Sequence, residues 1–185
     1  MKTLISSTLM ILALSATTVL AQSDTSELST GEAVAPQIGQ AYPVQAYGLW
    51  QKACVKTAEG QSEPCHITQV ITDDEGKPVA EVTFFRPNSP DIAAGANFVT
   101  PLGTLLTSQL VFAIDGKSPK RYPFNWCEQF GCFARVGFVP DELALLKSGS
   151  RGSIRIDSIV TPGQPIILTV DLANFTEAFD TLEPQ

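Results

Sequence analysis

The sequence predicts an all-β protein, an antiparallel β-sandwich with one short helix and two disulfides. After Tyr47 the chain consists of short β-branched and aromatic runs separated by Pro, Gly, Asn and Asp, which is typical of antiparallel strands joined by turns. The long helices that connect parallel strands are missing from the pattern. Four cysteines are an even number in a chain with an export signal, and disulfides form in that environment.

The first 21 residues have the features of a secretory signal peptide. Lys2 precedes an apolar run that ends in Val19-Leu20-Ala21, and small residues at its end suit signal peptidase. We expect cleavage after Ala21. Serine and threonine residues interrupt the run, so it would make a poor retained anchor, and no later segment predicts a membrane span.

The next segment, residues 22–46, is rich in Ser, Thr, Gln, Gly, Pro and acidic residues and lacks an apolar period. This composition predicts a disordered leader. The folded domain is therefore expected to begin at Tyr47 and to extend to Gln185.

The charge balance narrows the classes of partner. The chain carries 19 acidic and 12 basic residues, for a net charge of −7, and loss of Lys2 with the signal peptide would leave about −8. No basic cluster stands out that could neutralise phosphates. Nucleic acid and anionic lipid are therefore poor partners.

Alternating side chains predict individual strands. Residues 80–84 alternate between apolar and polar, which gives one buried and one exposed face. Residues 108–115 carry apolar residues at both odd and even positions, so both faces are apolar, as expected for a central strand. Residues 132–138 alternate so that Cys132 faces the core.

A second hairpin and a helix are predicted towards the C-terminus. Segments 153–160 and 165–172 are β-prone and flank a Thr-Pro-Gly-Gln turn, in which Pro and Gly suit type II geometry. Residues 140–149 predict the helix, because Pro and two acidic residues open it and Lys and Gly close it. Segment 173–182 predicts one or two further helical turns.

The four cysteines allow three pairings. We favour Cys54 with Cys65 and Cys127 with Cys132, because each pair brackets a strand-turn-strand segment whose facing residues approach closely. Loop closure predicts a stabilisation of about 3 kcal/mol for the longer loop and about 2 kcal/mol for the shorter one.

The sequence offers little for catalysis, so we expect no enzymatic site, no cofactor and no metal. His66 is the one histidine, and no serine lies in a nucleophile-elbow motif. The spacing of Cys127 and Cys132 is twice the gap of the redox Cys-x-x-Cys motif, so a disulfide staple is the preferred interpretation. Acidic residues 73–75 lack the ligand spacing of a calcium loop and predict a turn.

The remaining candidate is the tip between Cys127 and Cys132, where we expect Gln129, Phe130 and Phe133 to contact a partner. A rigid aromatic ring held in solvent loses little entropy on binding. Two conformations fit the sequence: Phe130 extends into solvent, or it folds back onto Trp126 or Tyr122.

Several motifs together resemble the invasion-associated locus B family of exported alphaproteobacterial proteins. The motifs, between about Tyr47 and Phe179, are Gly48-x-Trp50-x-x-x-Cys54, Cys65-x-Ile67-x-Gln69, Pro101-Leu102-Gly103 with Leu105-Leu106, Ile114-Asp115, Pro123-Phe124, Cys127, and Gly131-Cys132-x-Ala134. The resemblance implies an immunoglobulin-like β-sandwich in the periplasm or outer envelope and an association with entry into host cells. Secretion into the medium is a further location that the export signal allows. It supplies no catalytic residues.

Three functions follow from this as hypotheses. The first is a non-catalytic module that binds an envelope or host protein or a glycan. The second is a structural or folding accessory of the bacterial envelope. The third is a periplasmic hydrolase whose acidic residues converge only in three dimensions.

Overall fold

A computed structural model of the protein describes residues 29–185, and the folded unit described below spans Ala35–Gln185. The predicted signal peptide and the leader up to residue 28 lie outside the described residues. The strands are β1 Ala41–Tyr47, β2 Trp50–Val55, β3 Cys65–Thr72, β4 Pro78–Phe85, β5 Ala94–Thr100, β6 Leu110–Ile114, β7 Lys117–Tyr122, β8 Trp126–Glu128, β9 Gly131–Phe138, β10 Arg151–Ile156 and β11 Ile166–Asp171. The helices are α1 Pro140–Ser148 and α2 Phe175–Asp180.

The strands form two antiparallel sheets. The large sheet has the order β1-β2-β3-β4-β5-β9-β8, and the small sheet has the order β11-β10-β6-β7. All neighbouring strands run antiparallel. The predicted antiparallel β-sandwich is therefore confirmed.

Aromatic side chains fill the core. Phe84 lies at the centre, and its ring centroid is 5.0 Å from that of Phe175 and 5.7 Å from those of Trp50 and Phe138. Phe112 brings the small sheet into this cluster, 5.9 Å from Phe138. Offset and edge-to-face contacts of this kind stabilise a core beyond the area that they bury.

Both C-terminal helical predictions are confirmed. Helix α1 begins at Pro140, and the Glu142 carboxylate accepts a hydrogen bond of 3.0 Å from the Val139 N–H, which is the amide that precedes the helix. The predicted final turns form α2, whose Phe175 and Phe179 are buried in the core.

Gln69 joins the two sheets through hydrogen bonds. Its side chain is 2% exposed, and its amide accepts from the Asp171 N–H at 2.8 Å and donates to the Asp171 carbonyl at 2.9 Å. The Trp50 indole N–H donates to the same carbonyl at 3.1 Å. Side chains from β2 and β3 thus satisfy the backbone of β11, an edge strand.

The expected start of the folded domain at Tyr47 is wrong by six residues. Residues 41–46 form most of β1, which pairs with β2 from Ala41 opposite Val55 to Tyr47 opposite Trp50. The predicted leader therefore ends before this strand. All but two of the β1 residues are exposed. The sequence of this strand therefore lacks the alternation of apolar and polar residues by which a strand is recognised.

The second hairpin is also corrected at its first strand. Strand β10 ends at Ile156, whereas the predicted segment ran to residue 160. The chain leaves the sheet because Ser158 bridges to Thr104 and the Ile159 N–H donates to the Gly103 carbonyl at 2.8 Å. The predicted Thr-Pro-Gly-Gln turn is present, with Gly163 at φ +80°.

Candidate functional site

The tip of the β8–β9 hairpin is a two-residue turn. Glu128 pairs with Gly131, which leaves Gln129 and Phe130 to connect the strands. Phe130 is 76% exposed. A Cβ added at Gly131 would lie 2.5 Å from the Thr100 carbonyl oxygen, so only glycine permits the hairpin to pack this closely against the end of β5.

Of the two conformations open to Phe130, the structure adopts the extended one. The ring that covers Trp126 belongs to Phe133, with centroids 5.1 Å apart and ring planes 8° apart. Tyr122 packs towards Phe138, at 6.3 Å between centroids. With both alternative neighbours occupied, the Phe130 ring stays in solvent.

Both expected disulfides are present, Cys54–Cys65 and Cys127–Cys132. Each joins residues that face each other on adjacent strands of the large sheet. Cys132 is buried and faces the core, as its alternation predicts. No thiol remains free for metal or redox chemistry, because all four cysteines are bonded.

A row of side chains crosses the outer face of the large sheet beside the tip. The row, in order across β3, β4, β5, β9 and β8, is Val70, Glu81, Val99, Phe133 and Trp126. Phe130 and Phe133 form one side of a depression of about 510 Å³ that also contains Val70 and Val99. The predicted contact residues Phe130 and Phe133 thus lie together, and Gln129 is exposed next to them.

Two loops adjoin the tip at the same end of the sandwich. Residues 101–109 continue from Thr100, against which Gly131 packs. The Thr100 hydroxyl lies 3.0 Å from that of Thr104, and Thr104 bridges to Ser158 in the loop that follows β10. These contacts connect the hairpin tip, loop 101–109 and loop 157–165.

The three segments expose large apolar side chains. We call this set the apolar end: Leu102, Leu105, Leu106, Phe130, Ile159 and Val160. Val160 is the most exposed of them, at 78%. Residues 101–109 and 158–165 contain no charged residue, in a chain of which 17% of residues are charged. Exposed apolar patches without charge are typical of surfaces that become buried against a partner.

The sequence predicted Phe130 as a contact residue but not the other members of the apolar end. Ile159 and Val160 were assigned to a strand, although they lie in a loop. A signal was present, since large aliphatic residues stand beside Pro and Gly in segments without charge. Loops usually carry polar side chains, so aliphatic residues in a turn-rich segment indicate a contact surface.

His66 is half-buried on β3, and the expected strand position is confirmed. Burial lowers the pKa of its imidazole, and the nearby Glu81 carboxylate partly opposes this. The Asp73 carboxylate accepts hydrogen bonds from the Glu75 and Lys77 N–H groups, at 3.1 and 2.8 Å, and thus forms the predicted turn. Within residues 29–185, no three His, Cys, Asp or Glu side chains are placed to hold a metal ion.

Comparison with protein families decides where the chain belongs. Residues 50–183 match the family described as Invasion associated locus B (IalB) protein. The chain belongs to the IalB family. The resemblance expected from its motifs is therefore confirmed. In the described part of this IalB-family chain, no helix is long and apolar enough to cross a bilayer.

Two curated relatives and one solved structure are similar to this IalB-family chain. The invasion protein B homologs of Brucella abortus strain 2308 and of Brucella abortus biovar 1 strain 9-941 are each 29% identical over 83 residues. The matched region is 45% of this chain. The chain therefore spans about half (47%) of the length of the curated relatives that it matches. The crystal structure of invasion associated protein b from Bartonella henselae matches with a TM-score of 0.63 at 24% identity, covering 72% of this chain and 90% of that one. This likeness shows a shared fold.

The IalB motifs now have physical explanations. Gly48 adopts φ +60° in the turn that leads into Trp50, and Trp50 fills the core. Gln69 joins the sheets, as described above. The Asp115 carboxylate accepts from the Ser150 N–H at 3.2 Å and the Arg151 N–H at 3.0 Å, which fixes the start of β10.

Proposed function

We propose that this IalB-family chain is an exported, non-catalytic binding module of the cell envelope that docks on a protein through its apolar end. The observation that carries the proposal is the convergence of three segments that expose large apolar side chains, two of which, residues 101–109 and 158–165, contain no charged residue. A disulfide beside Phe130 supports it, because a tip held in one conformation loses less entropy on binding.

The composition of the apolar end favours a protein over a glycan. Protein interface cores are rich in aromatic residues and poor in charged ones. Sugars need hydrogen-bonding groups around the aromatic ring, whereas loops 101–109 and 157–165 expose five aliphatic side chains, which are Leu102, Leu105, Leu106, Ile159 and Val160. The names of the relatives refer to invasion, so a host-cell protein and an envelope protein are the two sources of partner to test.

The experiment compares partners retained from cells. The tagged protein, its Phe130→Ser variant and its Ile38→Ser variant are produced in the native bacterium, crosslinked in intact cells with and without host cells, and purified for mass spectrometry. Ile38 is a matched control because it is 73% exposed and lies before β1, where Gly39 contacts Lys56, outside the apolar end.

We expect one protein to be retained by the parent chain and by Ile38→Ser, and to be lost with Phe130→Ser. Equal recovery with all three chains would contradict the proposal. A protein recovered equally, together with envelope defects on deletion of the gene, would instead support the structural or folding accessory. Binding that glycosidase treatment removes would indicate a glycan.

A further inference from the structure

Strand β11 is the one edge strand among the described residues that lacks the usual protection against pairing with another strand. Strand β1 contains Pro43 and a shift of register, and β7 contains Pro119, two lysines and a shift of register. Strand β8 has only three residues. Proteins block the edges of their sheets by these features. By contrast, β11 pairs continuously with β10 and carries no charge from Ile166 to Val170.

The hydrogen bonds of Asp171 show which backbone groups of β11 point away from β10. The Asp171 N–H and carbonyl bond to the Gln69 side chain, and they exchange no hydrogen bond with Arg151, which lies opposite on β10. Hydrogen-bonded and non-hydrogen-bonded pairs alternate along antiparallel strands. Ile167 and Thr169 therefore also point their N–H and C=O groups away from β10.

These outward groups form a short free ladder. Among residues 29–185, no loop, turn or side chain bonds to the outward groups of Ile167 and Thr169. Both side chains are exposed, Ile167 at 57%. The ladder ends at Asp171, where Gln69 takes the place of a neighbouring strand, and at Pro165, which has no N–H. A free, uncharged ladder of this kind is a template for a further strand.

A second copy of β11 matches the free ladder. In an antiparallel pair with Leu168 on the twofold axis, Ile167 lies opposite Thr169 of the second copy, and the two residues exchange both hydrogen bonds. Their side chains form a β-branched pair on the outer face, which is a favourable cross-strand contact. At each end Pro165 lies opposite Asp171, whose backbone groups are already bonded. No N–H in the pair is left without a partner, and no two charges face each other.

The way in which the pair closes favours a second copy over continued addition of strands. The pairing uses the unprotected edge of both copies, and the joined sheet then ends in β7 on each side. The lysines and proline of β7 disfavour a further strand there. Association about a twofold axis therefore stops at two chains. A second copy also accompanies the first wherever the protein is present.

We propose that the protein forms a twofold dimer through β11, in which the four-stranded small sheets of two copies join into one continuous sheet. Ile167 is not a member of the apolar end, and the dimer needs no other protein. Dimerisation and partner docking are therefore separate properties, and either proposal can fail without the other.

The first test is sedimentation velocity of the purified protein over a range of concentrations. We expect the parent chain to shift from one chain to two as the concentration rises. Ile167→Lys should lose the dimer, because lysine on an edge strand opposes the addition of another strand. Val44→Lys is the matched control, since Val44 is 49% exposed on the edge strand β1, and it should dimerise like the parent.

A double variant tests the register. When Thr169→Glu is added to Ile167→Lys, the introduced carboxylate of one copy lies opposite the introduced ammonium of the other, so the dimer should return. Both positions are exposed, so the substitutions should leave the fold intact. A double variant that stays monomeric would contradict the register.

The second test follows hydrogen exchange of single amides by NMR. The N–H groups of Ile167 and Thr169 should exchange slowly in a concentrated sample and fast after dilution, because only the second copy bonds to them. The N–H groups of Leu168 and Val170 point towards β10 and should exchange slowly in both samples. The proposal is overturned if the parent is monomeric at every concentration, if the two single lysine variants dimerise equally, or if the Ile167 and Thr169 amides exchange fast in the concentrated sample.

Discussion

Single side chains explain why the two sheets stay together at the β11 edge. Gln69 gives the Asp171 backbone both hydrogen bonds that a neighbouring strand would give it. The amide is buried, so these bonds are shielded from water. A polar residue in a core is stabilising only when its partners are in place, and here they are supplied by the other sheet.

We predict that Gln69→Leu lowers the free energy of unfolding by about 2 kcal/mol, because the half-buried Asp171 N–H loses its acceptor. Urea unfolding followed by tryptophan fluorescence measures the change. Gln51→Leu is the matched control, since Gln51 is exposed on β2, and it should stay within about 0.5 kcal/mol of the parent. Equal losses from both substitutions would show that Gln69 does not join the sheets.

A pH dependence follows from His66. Its pKa is lowered in the folded protein by burial, against the opposing effect of Glu81. Below about pH 6.5 the His66 imidazole therefore binds a proton more readily in the unfolded chain than in the folded chain. The free energy of unfolding falls as the pH drops from 7 towards 5. His66 is the only histidine in the sequence. Urea titrations at several pH values should show this slope in the parent and not in His66→Gln, and a slope that survives the substitution would contradict the assignment.

For single residues, the sequence predicted that Phe130 lies at the tip of the hairpin. It did not predict whether the ring extends into solvent or folds back. The answer depends on Phe133, which occupies the face of Trp126 that Phe130 would otherwise cover. Facing positions across two strands follow from register, and the two-residue turn sets that register.

Among the elements, the strands that sequence patterns found are those with one buried face. Strands β4 and β9 alternate clearly, and their apolar residues lie in the core. Strands β1 and β7 are edge strands whose residues are nearly all exposed, so neither carries an apolar alternation. Strand β7 has the sequence Lys-Ser-Pro-Lys-Arg-Tyr. Its charges and its proline disfavour pairing with the edge of another sheet. The same residues are untypical of strands, so the sequence does not predict one here.

The two disulfides should differ in their contribution to stability. Replacing Cys127 and Cys132 together by Ala should lower the free energy of unfolding by about 2 kcal/mol, because that bond closes a short loop. Replacing Cys54 and Cys65 should cost about 3 kcal/mol, since their separation is 11 residues. Chemical denaturation of the two double variants gives the order, and a larger loss from the Cys127 pair would contradict the loop-closure account.

For the whole molecule, the sequence predicted the β-sandwich but not the apolar end. The apolar end forms because the crossing from β5 to β6 and the connection from β10 to β11 meet at the Thr104–Ser158 bridge. More than 50 residues separate these segments in the chain. Local patterns carry no information on such a contact, whereas the sandwich itself follows from the alternation of many strands.

The most direct test of the central claim, that the apolar end is one partner-binding surface, is site-specific photo-crosslinking in intact cells. A benzophenone amino acid is placed in turn at Leu102, Phe130 and Val160, with Ile38 as the control position of comparable exposure. We expect the first three positions to capture the same protein and position 38 not to capture it. Capture of different proteins from the three positions, or equal capture from position 38, would contradict it.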